Sequence, residues 1–293
     1  MKTFTIRLFL FLTLFAQMFT NNDVLAIEKG NNAAFFTTAA SPDIIFTSDG
    51  DSCNHQYGMA YYDSSLYTIL YRSDQVSRVS LIDTLLVDGY PTDIGNFGNH
   101  GIEIDTSDGS IYTGTSNSVI THHSASHELL ETKIFPRVSD DKDYQPINMI
   151  LHNDELFVAD RKKDSIYVLD KITLDITTGF PILGMDSSRA GGYIDLFVYK
   201  DKFYIVSDEL SGITTMNLDG TEQDSIMVSG YTHLEAFGIY VKDDLIFLNG
   251  HRNIIITDLM GNVLDSWDIE KPEGYEDYYI EMEIVDDKMY IAS

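Results

Sequence analysis

One phrase recurs six times along this chain and limits what it can fold into. It is a short strand, an Asp-rich turn, then an apolar strand carrying an aromatic residue. Its copies end in Ser65-Leu66-Tyr67, Ser110-Ile111-Tyr112, Glu155-Leu156-Phe157, Lys202-Phe203-Tyr204, Leu245-Ile246-Phe247 and Lys288-Met289-Tyr290. The aromatic anchors lie 45, 45, 47, 43 and 43 residues apart. A period in the forties with strand patterning, and no long helical periodicity, calls for repeated β-units around a common axis. The third repeat shows the parts: Asn148 to Leu151, Leu156 to Ala159, Ser165 to Leu169, and a fourth strand beginning at Asp175, with turn residues between them. The sequence therefore predicts an all-β fold: a six-bladed β-propeller with four-stranded antiparallel blades.

The sixth copy stops at Ser293 after only two strands. Ala34 to Thr38 and Asp43 to Thr47 are short and β-rich, and are expected to supply the missing two. Completing the C-terminal blade with N-terminal strands closes the ring and removes exposed strand edges. Ahead of them, Lys2 and Arg7 precede the apolar run Leu8 to Phe19, and Val24-Leu25-Ala26 fits the small-residue cleavage rule. The expected organisation is a signal peptide over 1–26 and one propeller domain over 27–293, secreted, or periplasmic in a Gram-negative source. The apolar run is short for a span and no later segment is longer, so no membrane span is expected after cleavage.

The formal charge of −27 repels phosphate backbones and argues against nucleic-acid binding. It is compatible with cations, and equally with solubility alone. Cys53 is the only cysteine, so no intramolecular disulfide can form, and a packed small residue is the expected role. A closed propeller is expected to be a monomer.

Two phrases carry a family resemblance. The stretch Gly101-Ile102-Glu103-Ile104-Asp105-Thr106-Ser107-Asp108-Gly109-Ser110-Ile111-Tyr112 resembles the repeats of NHL-type six-bladed propellers, and Leu156-Phe157-Val158-Ala159-Asp160 is similar to their second strand. The wider group includes calcium-dependent lactonases of the gluconolactonase/senescence-marker type, diisopropylfluorophosphatase-like enzymes and strictosidine-synthase-like proteins. The resemblance implies a calcium ion in the central channel, held by carboxylate and Asn side chains. The lactonases' Glu-Gly-Pro, and their Asn-Gly before an inner strand, are missing. Tyr57-Gly58, His100-Gly101 and Phe237-Gly238 stand in the Asn-Gly-like places.

Counting back nine residues from each anchor gives Gly58, Glu103, Asn148, Asp195, Gly238 and Glu281. Glu103, Asn148, Asp195 and Glu281 each sit between apolar neighbours on an inner strand. Converging on one axis, they are a candidate calcium set, because a hard cation takes oxygen ligands. A solvated channel mouth accounts for the same pattern. Counting back twelve reaches His55, His100 and Glu235, candidates for a general base or a substrate contact nearer the entrance. Tyr57, Glu235 and Phe237 are candidate channel-mouth contacts. Tyr61, Tyr62 and Tyr231 join them as a candidate apolar lining, or else pack blade against blade. His122, His123 and His127 cluster on the third strand of the second repeat, at the expected outer rim, without further zinc ligands. Asp49-Gly50-Asp51 reads as a turn. No serine-hydrolase, nucleotide-loop or zinc-protease motif is present.

Three functions follow. The first is a secreted extracellular binding propeller for a protein, a glycan or a small ligand, with room for a calcium ion in the central channel. The second is a calcium-dependent lactonase or phosphotriesterase-like hydrolase, with Glu103, Asn148, Asp195 and Glu281 on the metal and His55 or His100 assisting. The third is an acidic, calcium-associated matrix protein. Architecture without a catalytic motif favours the first and leaves enzymatic activity open.

Overall fold

Four of the strand-to-strand turns impose the architecture locally. Asp63-Ser64, Asn153-Asp154, Lys200-Asp201 and Asp243-Asp244 all have positive φ at both positions, from 44° to 65°. Two-residue turns of this hand match the twist of the strands they join, and Asp and Asn tolerate the left-handed region best among side-chain-bearing residues. Each turn therefore folds its repeat's first strand back against the second.

The computed structural model describes residues 23–28, 43–47, 56–70, 75–82, 86–91, 99–115, 118–134, 146–160, 163–185, 194–207, 210–232, 234, 236–250, 253–268, 281–285 and 288–292. Two N-terminal strands come first, β1 (Asp23–Glu28) and β2 (Asp43–Thr47). Blade 1 is β3 (Gln56–Tyr62), β4 (Ser65–Leu70), β5 (Gln75–Ser80) and β6 (Leu86–Pro91). Blade 2 is β7 (Asn99–Ile104), β8 (Ile111–Thr115), β9 (Val119–His123) and β10 (Leu129–Ile134). Blade 3 is β11 (Pro146–His152), β12 (Glu155–Asp160), β13 (Ser165–Asp170) and β14 (Ile176–Pro181). Blade 4 is β15 (Ile194–Tyr199), β16 (Lys202–Ser207), β17 (Ile213–Asn217) and β18 (Asp224–Ile226). Blade 5 is β19 (Ala236–Lys242), β20 (Leu245–Gly250), β21 (Asn253–Asp258) and β22 (Val263–Asp268), and the chain ends in β23 (Glu281–Val285) and β24 (Lys288–Ala292).

Each of the five blades is a meander of four consecutive antiparallel strands, with its first strand on one edge and its fourth on the other. A further four-stranded sheet has the order β2-β1-β24-β23, joining strands from both ends of the chain. The first strands lie side by side in chain order: β3 by β7, β7 by β11, β11 by β15, β15 by β19, and β19 by β23. This is the arrangement of a β-propeller, whose first strands line the axis.

Of the two expected N-terminal strands, Asp43 to Thr47 is β2. The other is corrected. The strand paired with β24 is Asp23–Glu28, with Val24 opposite Ala292 and Glu28 opposite Lys288, and Ala34 to Thr38 lies outside the described residues. Val24, Leu25 and Ile27 are good strand formers, so the segment that suits a cleavage rule also suits a ladder.

The anchors make the core. Tyr67, Tyr112, Phe157, Tyr204, Phe247 and Tyr290 are all buried, and they face neighbouring sheets rather than the axis. Tyr204 and Val206 of blade 4 pack with Ile239, Val241, Ile246 and Leu248 of blade 5. Met59 and Leu66 of blade 1 pack with Val285 and Tyr290. Trp267, on the outer strand of blade 5, packs against the cluster that holds Phe247.

Candidate functional site in the central channel

The pairing register decides which inner-strand residues share a level. Gly58, Asn148, Asp195, Gly238 and Glu281 stand opposite Ile69, Ala159, Val206, Asn249 and Ala292, each two residues past its anchor. Glu103 instead faces the anchor Tyr112 itself, and the residue of blade 2 at the common level is Gly101, opposite Gly114. This corrects the expected equivalence. The first hairpin of blade 2 closes through Asp105–Ser110, where Gly109 takes φ 78°. Its turn is longer than the two-residue turns elsewhere, so a fixed count from the anchor lands two residues away. The level of Glu103 is shared by Glu283, which faces Tyr290.

The carboxylates are held by backbone amides. Asp195 accepts hydrogen bonds from its own following amide, Leu196 N–H (2.8 Å), and from Ile239 N–H of the next blade (2.7 Å). The Asn148 side-chain amide, one blade earlier, also donates to it. Glu103 does the same one level away, accepting from Ile104 N–H and from Leu151 N–H of blade 3. Glu283 accepts from Ile284 N–H. Among the described strands, the first strand of each blade has one edge with no strand partner, and unpaired buried amides are costly. An acid that reaches the next blade's amide repairs that edge and ties two blades together.

These acids are not ordinary surface acids. Burial pushes Glu103 up to about 8, and the negative charge of Glu283 adds to this against the pull of the two amides. Burial likewise raises Glu283 to about 7, with Asp195 contributing. Asp195, 5% exposed, is raised by burial against its two backbone donors. Glu103 and Glu283 are half-buried. Asp195 thus acts on Glu283 and Glu283 on Glu103, so the charges of the three acids are linked in series along the channel.

Of the expected calcium set, Asn148 and Asp195 touch, and the Asn148 Oδ1 is buried without a hydrogen-bond partner among the described groups. Glu103 lies one level off, electrostatically linked to Glu283 rather than placed with that pair. Glu281 is placed on β23 by its backbone. Among the described residues, no group of three His, Cys, Asp or Glu side chains is gathered closely enough to hold a metal ion. Glu283 escaped the sequence count because the count skipped its level; its alternation with Met282 and Ile284 was the available signal.

The remaining candidates scatter. Tyr57 and His100 lie on β3 and β7 by their backbones. Cys53, His55, Glu235 and Asp49-Gly50-Asp51 lie outside the described residues. Phe237 is buried, 5% exposed, at a bulge in β19. Tyr61, Tyr62 and Tyr231 pack into the clusters between sheets. The histidine cluster is corrected: His122 and His123 are buried, not rim residues. His122 stacks on Tyr112 (4.3 Å between centroids, 12° between planes), and both its ring nitrogens lack hydrogen-bond partners among the described groups. Burial holds its affinity for protons below the ordinary value. His123 Nε2 lies 3.1 Å from Thr121 Oγ1, itself 2.7 Å from Thr113 Oγ1. Away from the channel, a cavity of about 370 Å³ is lined by Leu183, Leu210, Thr214, Gln223 and Asp224 of blades 3 and 4, a feature without a sequence signal.

No protein-family model matches the chain, and no curated protein matches it. Among solved structures, it is similar to the computationally designed Ika8 protein, at 7% identity and a TM-score of 0.48, over 82% of this chain and 94% of that one. It is also similar to BamB from Moraxella catarrhalis, at 8% identity and a TM-score of 0.47, over 80% and 95% of the two chains. Both likenesses are too weak to carry an activity or a partner.

Proposed function

We propose that this chain is a secreted, six-bladed binding propeller whose channel acids serve the ring rather than a reaction. The observation that carries this reading is the use of Asp195 and Glu103. Each spends its oxygens on a backbone amide of its own blade and one of the next. The six-blade count is supported by the packing of β23 beside both β19 and β3, and by the four-stranded sheet that β1 and β2 complete. The NHL-type phrases support that group as the family. Binding partners of an acidic propeller of this kind are an extracellular protein, a glycan or a small ligand, met on the loop faces.

The second reading, a calcium-dependent hydrolase of lactones or phosphoesters, is favoured by one observation: the unpartnered Asn148 Oδ1 beside Asp195. Calcium titration calorimetry on the chelator-treated protein separates the two. The binding reading expects no single tight site. One tight site per chain, lost in both Asp195→Asn and Glu103→Gln, would overturn it and call for a lactone and phosphoester screen. Many weak, salt-sensitive calcium ions would point to the acidic matrix protein instead. Secretion is tested separately, by N-terminal sequencing of the exported chain. A mature chain beginning at Ile27 would keep only Ile27 and Glu28 of β1 against β24 and would count against closure by this strand, whereas one that retains Asp23 would support it and overturn cleavage after Ala26.

A further inference from the structure

The cavity between blades 3 and 4 has the make-up of a binding site. It measures about 370 Å³, inside the range of about 300–1,000 Å³ that small-molecule sites occupy. Its position follows from the register. Thr214 of β17 stands opposite Ser225 of β18, so their side chains share one face of blade 4. Met216, two residues further along β17, packs with Phe180 and Leu210 in the cluster between blades 3 and 4, so that face looks toward blade 3. The cavity borders this cluster through the buried Leu210, and Leu183, 61% exposed, stands at its rim.

Its walls are held by groups already committed. The Gln223 side chain donates to the Pro181 and Gly220 carbonyls (2.8 and 3.2 Å) and accepts from Leu183 N–H (2.9 Å). It thereby fastens the exit of β14 to blade 4. No side chain fits at Gly212, where a Cβ would lie 2.6 Å from the Ile226 carbonyl oxygen, so backbone forms the wall beside Thr214. The groups left uncommitted face the space. The hydroxyls of Ser211, Thr214 and Ser225 line it, and none of them has a hydrogen bond among the described residues. Thr214 is only 5% exposed, so the cavity is where its hydroxyl can find a partner. Asp224 accepts from Ser225 N–H through Oδ1 (2.8 Å) and keeps Oδ2 for a further donor.

Hydroxyls both donate and accept, and the ligand that matches several of them at once is one that carries hydroxyls itself. Among the described lining residues there is no Lys, Arg or His to pair with an anion, and no aromatic ring on which a planar heterocycle would stack. The charge of −27 disfavours anions further. We propose that this cavity binds a neutral sugar. Ser211, Thr214 and Ser225 exchange hydrogen bonds with its hydroxyls, and Asp224 accepts from one more. Leu183 and Leu210 meet the apolar C–H face of the ring. The assignment rests on the binding reading given above and narrows its ligand to one class.

The test is an NMR titration of the purified chain, methyl-labelled at leucine, with glucose, galactose, mannose and N-acetylglucosamine. At least one of these sugars shifts the Leu183 and Leu210 methyl signals and saturates. Ser211→Trp, at an exposed position, fills the cavity and abolishes binding. Thr214→Val removes one hydroxyl at nearly constant volume and weakens binding about fivefold to tenfold. Thr214→Ser keeps the hydroxyl and stays within about twofold of the parent. Circular dichroism shows that each variant is folded. No saturable shift with any of these sugars overturns the proposal. So does binding that survives Ser211→Trp, which would move the sugar to another face and leave the binding reading standing. So does binding of glucosamine without the neutral sugars, which would make Asp224 an ammonium acceptor. Failure of the binding reading itself shows differently, as one tight calcium site in the calorimetric titration.

Discussion

The contact between blades 2 and 3 and the contact between blades 4 and 5 occupy equivalent places and are built from different chemistry. Between blades 4 and 5, Tyr204, Val206, Ile239, Val241, Ile246 and Leu248 form a continuous apolar layer, with Asp195 as the polar tie at its inner end. Between blades 2 and 3, Tyr112, Met149, Leu156 and Val158 supply the apolar part. Polar groups do the rest: Glu103 inside, His122 stacked on Tyr112, and Lys171 held between Asp105 (2.9 Å) and Asp154 (2.5 Å). The repeat fixes where a side chain stands; it leaves open whether oil or charge fills the place. The apolar contact should be indifferent to pH apart from its one acid, whereas the polar contact answers to pH from both directions.

Several substitutions break or sharpen that contrast. The largest effect is expected from Leu248→Ala, which empties a fully buried place in the apolar layer. Denaturant titration should show a loss of about 2–5 kcal/mol, independent of pH. Asp195→Ala comes next. It strands the Ile239 and Leu196 amides and the Asn148 side chain, costing about 1–3 kcal/mol, and Asp195→Asn should recover part of that.

The pH response of the inner acids has a definite sign. Glu103 and Glu283 bind protons more tightly folded than unfolded, at about 8 and about 7 against 4.5. Their contribution is complete below the unfolded value and is lost as pH rises through the folded ones. The denaturation midpoint should therefore fall between pH 5 and pH 8.5, measured at several buffers. Glu103→Gln should flatten that fall. His122 has the opposite sign. Burial lowers its folded value below 6.5, so the unfolded chain takes up the proton first and stability is lost as pH drops. His122→Phe keeps a ring against Tyr112 and removes two unpartnered nitrogens. It should flatten the acid limb and leave neutral stability within about 1 kcal/mol of the parent. The smallest effect belongs to Lys171→Met. Asp154 is exposed, and the buried Asp105 keeps its two hydrogen bonds from Ser107, so about 1 kcal/mol should be lost, and less at high salt.

Much of this architecture could be read from the residues. The six anchors mark the buried second strands because a regular period and an aromatic residue survive any change in turn chemistry. The inner-strand acids Glu103 and Asp195 also stood out, being polar between apolar neighbours. The level of Glu103 did not, because the turn from Asp105 to Ser110 shifts blade 2 by two residues, and Glu283 stands at a level that a count of nine from the anchor skips. The purpose of the acids was hidden too. Their partners are main-chain amides of another blade, at Leu151 and Ile239, and main-chain groups leave no mark in a sequence. His122 and His123 read as rim residues because side chains of this polarity are often exposed. Their cross-strand partners Tyr112 and Ile111 carry them into the packed layers instead. The strand at Asp23–Glu28 is hidden in the sequence because Val24-Leu25-Ala26 also satisfy the cleavage rule of a leader.

The ties between blades also have a direction along the chain. Glu103 in blade 2 reaches forward to blade 3, and Asp195 in blade 4 reaches forward to blade 5. A polypeptide leaves the ribosome from its N-terminus, so each acid emerges before the amide it will bind. A finished blade thus presents a waiting acceptor to the strand that follows. Assembly can advance one blade at a time in the order of synthesis, each new blade docking on a template already in place.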